Sequence, residues 1–177
     1  MAEEVEVKAR ADPERIRRKL AELGAELVSV EEQEDVYFAH PCKDLFASDE
    51  ALRLRAVGGK AELTYKGPRK PGSAKSRLEV TVLVSDAAAA EALLELLGFK
   101  EAVRVRKRRE LYKLGDVEVA LDTVEGLGAF VELESKGAPE ERLAELLKLL
   151  GAGELVRETY AELVAKAASL PAGSGSA

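Results

Sequence analysis

The stretch Glu4-Val5-Glu6-Val7-Lys8, "EVEVK", decides how the chain is read. In an extended backbone, residues two apart share a face. Glu4, Glu6 and Lys8 therefore point one way, and Val5 and Val7 the other. Taken alone, this is a strand of a half-wet sheet, with valines packed and charges in water. The same alternation recurs along the whole chain. Arg53 and Arg55 oppose Leu52 and Leu54, Thr64 and Lys66 oppose Leu63 and Tyr65, and Arg77, Glu79 and Thr81 oppose Leu78, Val80 and Val82. Lys107 and Arg109 share a face, Asp122 opposes Leu121, and Glu132 and Glu134 oppose Val131 and Leu133.

The alternating segments predict strands near 3–10, 27–39, 51–57, 61–67, 76–84, 102–114, 116–124 and 127–136. Parallel strands would read as continuous apolar runs, so the pattern predicts an antiparallel sheet. Three helices ending in Leu-Gly punctuate it, with Gly24, Gly98 and Gly151 where a helix needs a left-handed residue after its last turn. Asp12 with Pro13, Ser85-Asp86 and Pro139 mark their starts. A fourth helix lies in "LVRETYAELVAKA". The first two helices each follow a charged alternating strand, which suggests two related strand–helix–strand halves. Strands and helices together give the α+β class. One domain is expected over 1–168, and the small, polar Pro/Gly-rich tail 169–177 is expected to be disordered.

Of the 177 residues, 46% are hydrophobic, enough for a core, and 34% are charged. The net charge of −6 argues against nucleic acid as the main partner, because phosphate-backbone affinity needs a basic surface. Cys42 is the only cysteine, so there is no internal disulfide and no zinc-ligand set. His40, the only histidine, lies in "AHPCKD" and reads as a surface loop residue rather than a catalytic base. No apolar run spans a membrane and no leader precedes the first strand, so a cytoplasmic location is expected. Asparagine is absent and Gln33 is the only glutamine, a profile that suits a thermophile.

Isolated exposed ion pairs are worth little, so a solvated face would mix signs freely. Here they are sorted. Carboxylates gather on the first and last strands (Glu4, Glu6, Asp122, Glu132, Glu134), and cations on those between (Arg53, Arg55, Lys66, Arg77, Lys107, Arg109). Curling the sheet so that these faces line a closed eight-stranded barrel gives a tunnel with an acidic wall facing a basic one. The apolar faces then turn outward under the helices. The carboxylates suit Mg²⁺ or Mn²⁺, and the cations suit a polyanion, with arginine forks for phosphate oxygens. No G-x-x-x-x-G-K-[ST] loop occurs, so phosphate would be bound by side chains rather than by a backbone cradle.

"EVEVK" resembles the E-x-E-x-K signature of the CYTH superfamily, the triphosphate tunnel metalloenzymes. The resemblance continues in order through "DVYF", "DEALRLR", "LTYKGP", "SRLEV", "VRKRREL", "LDTVEGLGAFVELE" and "ETYAELV", from Glu4 to Lys166. It is nearest the class IV adenylyl cyclases and their archaeal relatives. It implies that Glu4, Glu6, Glu132 and Glu134, with Asp122 nearby, hold Mg²⁺ or Mn²⁺. Lys8, Arg53, Arg55, Lys66, Arg77, Lys107 and Arg109 would hold the triphosphate, and Lys8 and Glu134 would be catalytic. The implied partner is a triphosphate small molecule (ATP, tripolyphosphate or thiamine triphosphate), with a homodimer as an option. The implied activity is cyclisation of ATP, with triphosphate hydrolysis or a non-catalytic polyphosphate-binding module as alternatives. Ala39 and His40-Pro41 depart from the family's pattern after "YF". Glu79 reads as a cross-strand partner of Arg77. Arg104, Arg106 and Arg108 read as outer-face charges, Phe130 as a plug, and Arg157 and Tyr160 as docking residues of the last helix.

Overall fold

Alternating segments pair and periodic ones coil where the residue pattern places them. The computed structural model describes residues 4–69 and 77–169, without the side chains of Glu4 and Lys136. In chain order the elements are β1 (Glu4–Arg10), α1 (Pro13–Glu22), β2 (Glu26–Ala39), β3 (Ala51–Val57), β4 (Lys60–Lys66) and β5 (Glu79–Val84). Then come α2 (Ala87–Leu96), β6 (Lys100–Leu114), β7 (Val117–Val124), β8 (Gly128–Lys136), α3 (Glu140–Leu150) and α4 (Tyr160–Ser169). Asp12 caps α1, accepting from the Glu14 and Arg15 amides at 3.0 and 3.3 Å, and Asp86 caps α2 through the Ala89 amide at 2.9 Å. Gly151 ends α3 with φ 72°, and its Cα lies so close to the Arg15 guanidinium that a Cβ would stand 2.4 Å from Nε. Beyond Ser169, which ends α4, the tail lies outside the described residues. No helix among the described residues is long and apolar enough to cross a membrane.

All eight strands join one antiparallel sheet in the order β1-β8-β7-β6-β2-β3-β4-β5. The order is symmetric about the β2–β6 pair. On one side β2, β3 and β4 form a meander to which β5 is added; on the other, β6, β7 and β8 form a meander to which β1 is added. Among the described residues no pairing closes the expected barrel: β1 and β5 are the two ends of the sheet. The outer edge of β1 is already used, because Arg10 N–H donates to Glu154 O at 2.9 Å and Val156 N–H to Lys8 O at 2.9 Å. An isolated bridge between Ala9 and Leu155 lies between these bonds.

The apolar face is covered as the alternation requires. Ile16 and Leu20 of α1 and Leu143, Leu147 and Leu150 of α3 pack on Val7, Ala9, Val117, Val119, Leu121, Val131 and Leu133. Burial of each large aliphatic side chain contributes about 1.5–3 kcal/mol, so this cluster fixes the β1-β8-β7 half. Over the other half, Leu94 of α2 packs on Val36, Phe38, Leu54 and Ala61. Arg17 of α1 clamps Glu110 of β6 at 3.0 and 2.8 Å. The expectation that every helix lies on this face fails at α4. Tyr160 and Ala161 of α4 pack with Val103, Val105, Val124 and Phe130, on the face that carries the charges.

Candidate active site

Cross-strand register places the charged residues in rows. Glu6 of β1 stands opposite Glu134 of β8, which stands opposite Glu118 of β7. One step along, Lys8 faces Glu132, and Arg10 faces Phe130, which faces Asp122. Asp122 faces Arg109 of β6, and Lys107 faces Gln33 of β2. Asp35 then faces Arg55 of β3, Tyr37 faces Arg53, and Arg53 faces Thr64 of β4. Glu4 lies at the first register position of β1, opposite Lys136.

The cations differ in how they are held. Arg109 forks Asp122, Nε to Oδ1 at 2.8 Å and Nη2 to Oδ2 at 2.6 Å, and its Nη2 also reaches Glu132 at 3.1 Å. Arg55 forks Asp35 at 2.6 and 2.7 Å. Lys66 pairs with Glu79 at 2.9 Å, so Glu79 serves Lys66 and not the expected Arg77. Arg77 is half-buried and precedes β5. Arg53 carries a buried Nε with no acceptor among the described residues. Lys8 and Lys107 are buried and both lie over one ring, their Nζ atoms 4.5 and 4.8 Å from the Tyr160 centroid. Lys107 also lies 3.6 Å from Asp122, a long contact for an ion pair. The Tyr160 hydroxyl donates to Asp122 Oδ2 at 2.8 Å.

Asp122 is wholly buried, and both of its oxygens accept hydrogen bonds from Arg109 or Tyr160. Burial works to raise its carboxyl pKa, but the Arg109 fork, Lys107 and the Tyr160 hydroxyl outweigh it and hold the group below the usual range. Asp35 is held low in the same way, burial being overcome by Arg55. Burial, with Arg109 close by, pushes the Lys107 ammonium down to about 8. Lys107 therefore loses its charge just above neutrality. Affinity for tripolyphosphate should be full near pH 6.5 to 7 (about one unit below that pKa) and should fall as pH rises through about 8. Calorimetric titration across this range checks it, and Lys107→Arg should flatten the curve.

Among the described residues, no three carboxylates already converge on a point where an ion would sit. The donor chemistry nevertheless fits a hard cation. Glu134 is directly opposed to Glu6 on one side and to Glu118 on the other, each pair within about 5 Å at Cβ, and they offer only oxygen. Glu132, half-buried beside them, shares its carboxylate with Arg109. Asp122, expected nearby as a further metal carboxylate, accepts from Arg109 at both oxygens and from Tyr160 at Oδ2.

Asp35, Glu118 and Tyr160 carry parts of this face that the sequence reading did not assign to the site. The signal for the first two was present: Asp35 lies two residues from Tyr37, and Glu118 four from Asp122, on the same side of their strands. Arg104, Arg106 and Arg108 lie on the opposite face as expected, paired with Glu34, Glu91, Glu101 and Glu110. Phe130 is fully buried, edge-on to Tyr160 at 5.2 Å.

Comparison with known proteins gives the family. The CYTH domain profile matches residues 2–165. A Methanocaldococcus jannaschii protein whose name proposes an adenylate cyclase is 38% identical over 170 residues, covering 90% of this chain and 97% of its own. The adenylate cyclase CyaB of Aeromonas hydrophila is 34% identical over 134 residues, 73% of this chain and 67% of its own. A solved structure from Pyrococcus horikoshii superposes with a TM-score of 0.80 at 38% identity, covering 93% of this chain and 99% of its own. With its E-x-E-x-K strand paired to the Glu132/Glu134 strand and its cations ranged across the same sheet face, the chain belongs to the CYTH family.

Proposed function

We propose that this protein is a metal-dependent enzyme acting on triphosphates, with cyclisation of ATP to cyclic AMP and pyrophosphate as the leading activity. The observation that carries the reading is the division of one sheet face into an acidic row, Glu6, Glu118 and Glu134, and a basic field in which Lys8 and Lys107 are held by a ring. A polyanion gains from the cations, while a row of carboxylates gains nothing from an anion unless a cation lies between them. Glu6, Glu132, Glu134 and Glu118 would hold Mg²⁺ or Mn²⁺, with Glu4 added by its place on β1. Bound there, a divalent ion supplies Lewis-acid charge stabilisation.

This chain's residues do the rest. Lys8, Lys107 and Arg53 stabilise charge on the phosphate chain and its leaving group. Arg55, Arg109 and Lys66, each paired to a carboxylate, hold the shape of the face and offer their remaining N–H groups. In the cyclase reaction the ribose 3′-oxygen bonds to the α-phosphorus, the bond from that phosphorus to the bridging oxygen breaks, and pyrophosphate leaves. In this reading Glu134, opposite Glu6 in the register, takes the hydroxyl proton. The names of the two relatives favour this chemistry.

Hydrolysis of tripolyphosphate or thiamine triphosphate is the second reading, and one feature favours it. Phe130 and Tyr160 are both buried in packing, which leaves a base few rings on which to stack. The test is a product assay with Mg²⁺ or Mn²⁺ on ATP, thiamine triphosphate and tripolyphosphate. Cyclic AMP and pyrophosphate from ATP support the cyclase, and orthophosphate from all three supports the hydrolase. No turnover of any of them would overturn both readings.

A further inference from the structure

Cations can be fixed in a protein in two ways with opposite consequences for a ligand. A carboxylate fixes an arginine or lysine and cancels most of its field, as Asp122 does for Arg109 and Asp35 for Arg55. An aromatic face attracts an ammonium through its quadrupole and leaves the full charge in place. On this face Lys8 forms no ion pair within 4.0 Å with a described residue, and Lys107 has only the 3.6 Å contact to Asp122, whose oxygens are engaged elsewhere. Both ammonium groups lie within 5 Å of the Tyr160 ring centroid, although β1 and β6 are separated in the sheet by β8 and β7. The ring cannot turn freely, because its hydroxyl is tied to the wholly buried Asp122 and its edge packs on Phe130.

We infer that Tyr160 is a positioning residue of the anion site: α4 carries one ring onto the charged face to hold Lys8 and Lys107 in place while leaving their charge available to a polyphosphate. This rests on the function proposed above and adds to it a residue from outside the sheet. It also explains why α4 lies on the charged face. The helix brings one aromatic face to two ammonium groups, as Phe130 of β8 does within the sheet for the Arg10 guanidinium, 4.8 Å from its centroid.

The test separates ring electrostatics from packing. Position 160 of the full chain is replaced by Phe, by Leu, and by phenylalanine carrying one, two or three ring fluorines, which weaken the quadrupole at nearly constant size. Tripolyphosphate affinity is measured by calorimetry without metal, and thermal midpoints are recorded beside it. Tyr160→Phe should stay within about twofold of the native affinity, each fluorine should lower it further, and Tyr160→Leu should lose roughly tenfold. Affinity that follows the thermal midpoint instead of the fluorine count would make Tyr160 a packing residue. Tighter binding by Tyr160→Leu would show that the ring competes with the anion. Side-chain nitrogen NMR of lysine-labelled protein gives a reading independent of any ligand: the Lys8 and Lys107 ammonium signals should carry ring-current shifts that vanish in Tyr160→Leu. Unshifted signals in a native protein that binds tripolyphosphate would overturn the inference alone. Shifted signals in a native protein that binds none would overturn the proposed function, and the positioning role with it.

Discussion

Asp122→Ala is expected to lower the stability of the fold by about 3–5 kcal/mol, the usual consequence of removing one partner of a buried ion pair. The carboxylate is wholly buried and accepts from Arg109 twice and from Tyr160 once, with Lys107 at 3.6 Å. Without it, a guanidinium, an ammonium and a hydroxyl face one another in a dry site, and the two cations repel. Urea unfolding should show a lower midpoint with little change in slope. Asp122→Asn keeps the volume and one acceptor oxygen, so its loss should be smaller. A native midpoint for Asp122→Ala would mean that the fork contributes nothing. Because Asp122 anchors the Tyr160 hydroxyl, Asp122→Ala should also loosen α4, which proteolysis at the C-terminal side would register.

Glu134→Gln is expected to have the opposite profile, with catalysis lost and the fold kept. Glu134 is half-buried at the centre of the row formed with Glu6 and Glu118. Replacing it removes one negative charge from three aligned carboxylates, and like charges directly opposed across a sheet are destabilising. The thermal midpoint should therefore hold or rise. Turnover of the preferred triphosphate should fall by more than about a hundredfold, since metal-borne charge stabilisation is worth several kcal/mol. Turnover at saturating Mn²⁺ measures it. Glu6→Gln should behave alike, and native rates in both would remove the acidic row from the mechanism.

Most strand boundaries were legible in the sequence because a strand's face is set by a period of two, which any half-buried segment must print in its residues. The helix ends were legible for a similar reason: Asp12, Asp86 and Gly151 satisfy backbone groups that a helix terminus leaves open. Which cations and carboxylates share a face follows from the same period. What the alternation does not carry is the relation between distant segments. Closure of the sheet depends on what reaches the free edge of β1, and the 153–156 segment that does so has no strand-like pattern. The side of the sheet that α4 covers is equally silent, since an apolar helical stripe looks the same whichever face it meets. Tyr160 therefore read as a docking residue, and only its neighbours Lys8, Lys107 and Asp122 show that it docks on charge. The partner of Glu79 was misplaced because register, not proximity in sequence, selects Lys66 across the β4–β5 pair.

The pairing of β1 with β8 has a consequence for how the chain comes to function. Of these eight strands β1 is made first, yet its partner is the last of them, and Glu6 meets Glu134 only after the intervening chain is in place. Contacts of such sequence separation are entropically late, so folding here has high contact order and is expected to be slow. Until then β1 is an unpaired edge, the kind of segment that adds itself to foreign sheets. Its alternating Glu4, Glu6, Lys8 and Arg10 keep one whole side of that edge charged, which disfavours stray pairing during the wait. The residues that face the substrate in the finished protein thus act as gatekeepers in the nascent one, and no partly folded chain can carry an assembled acidic row.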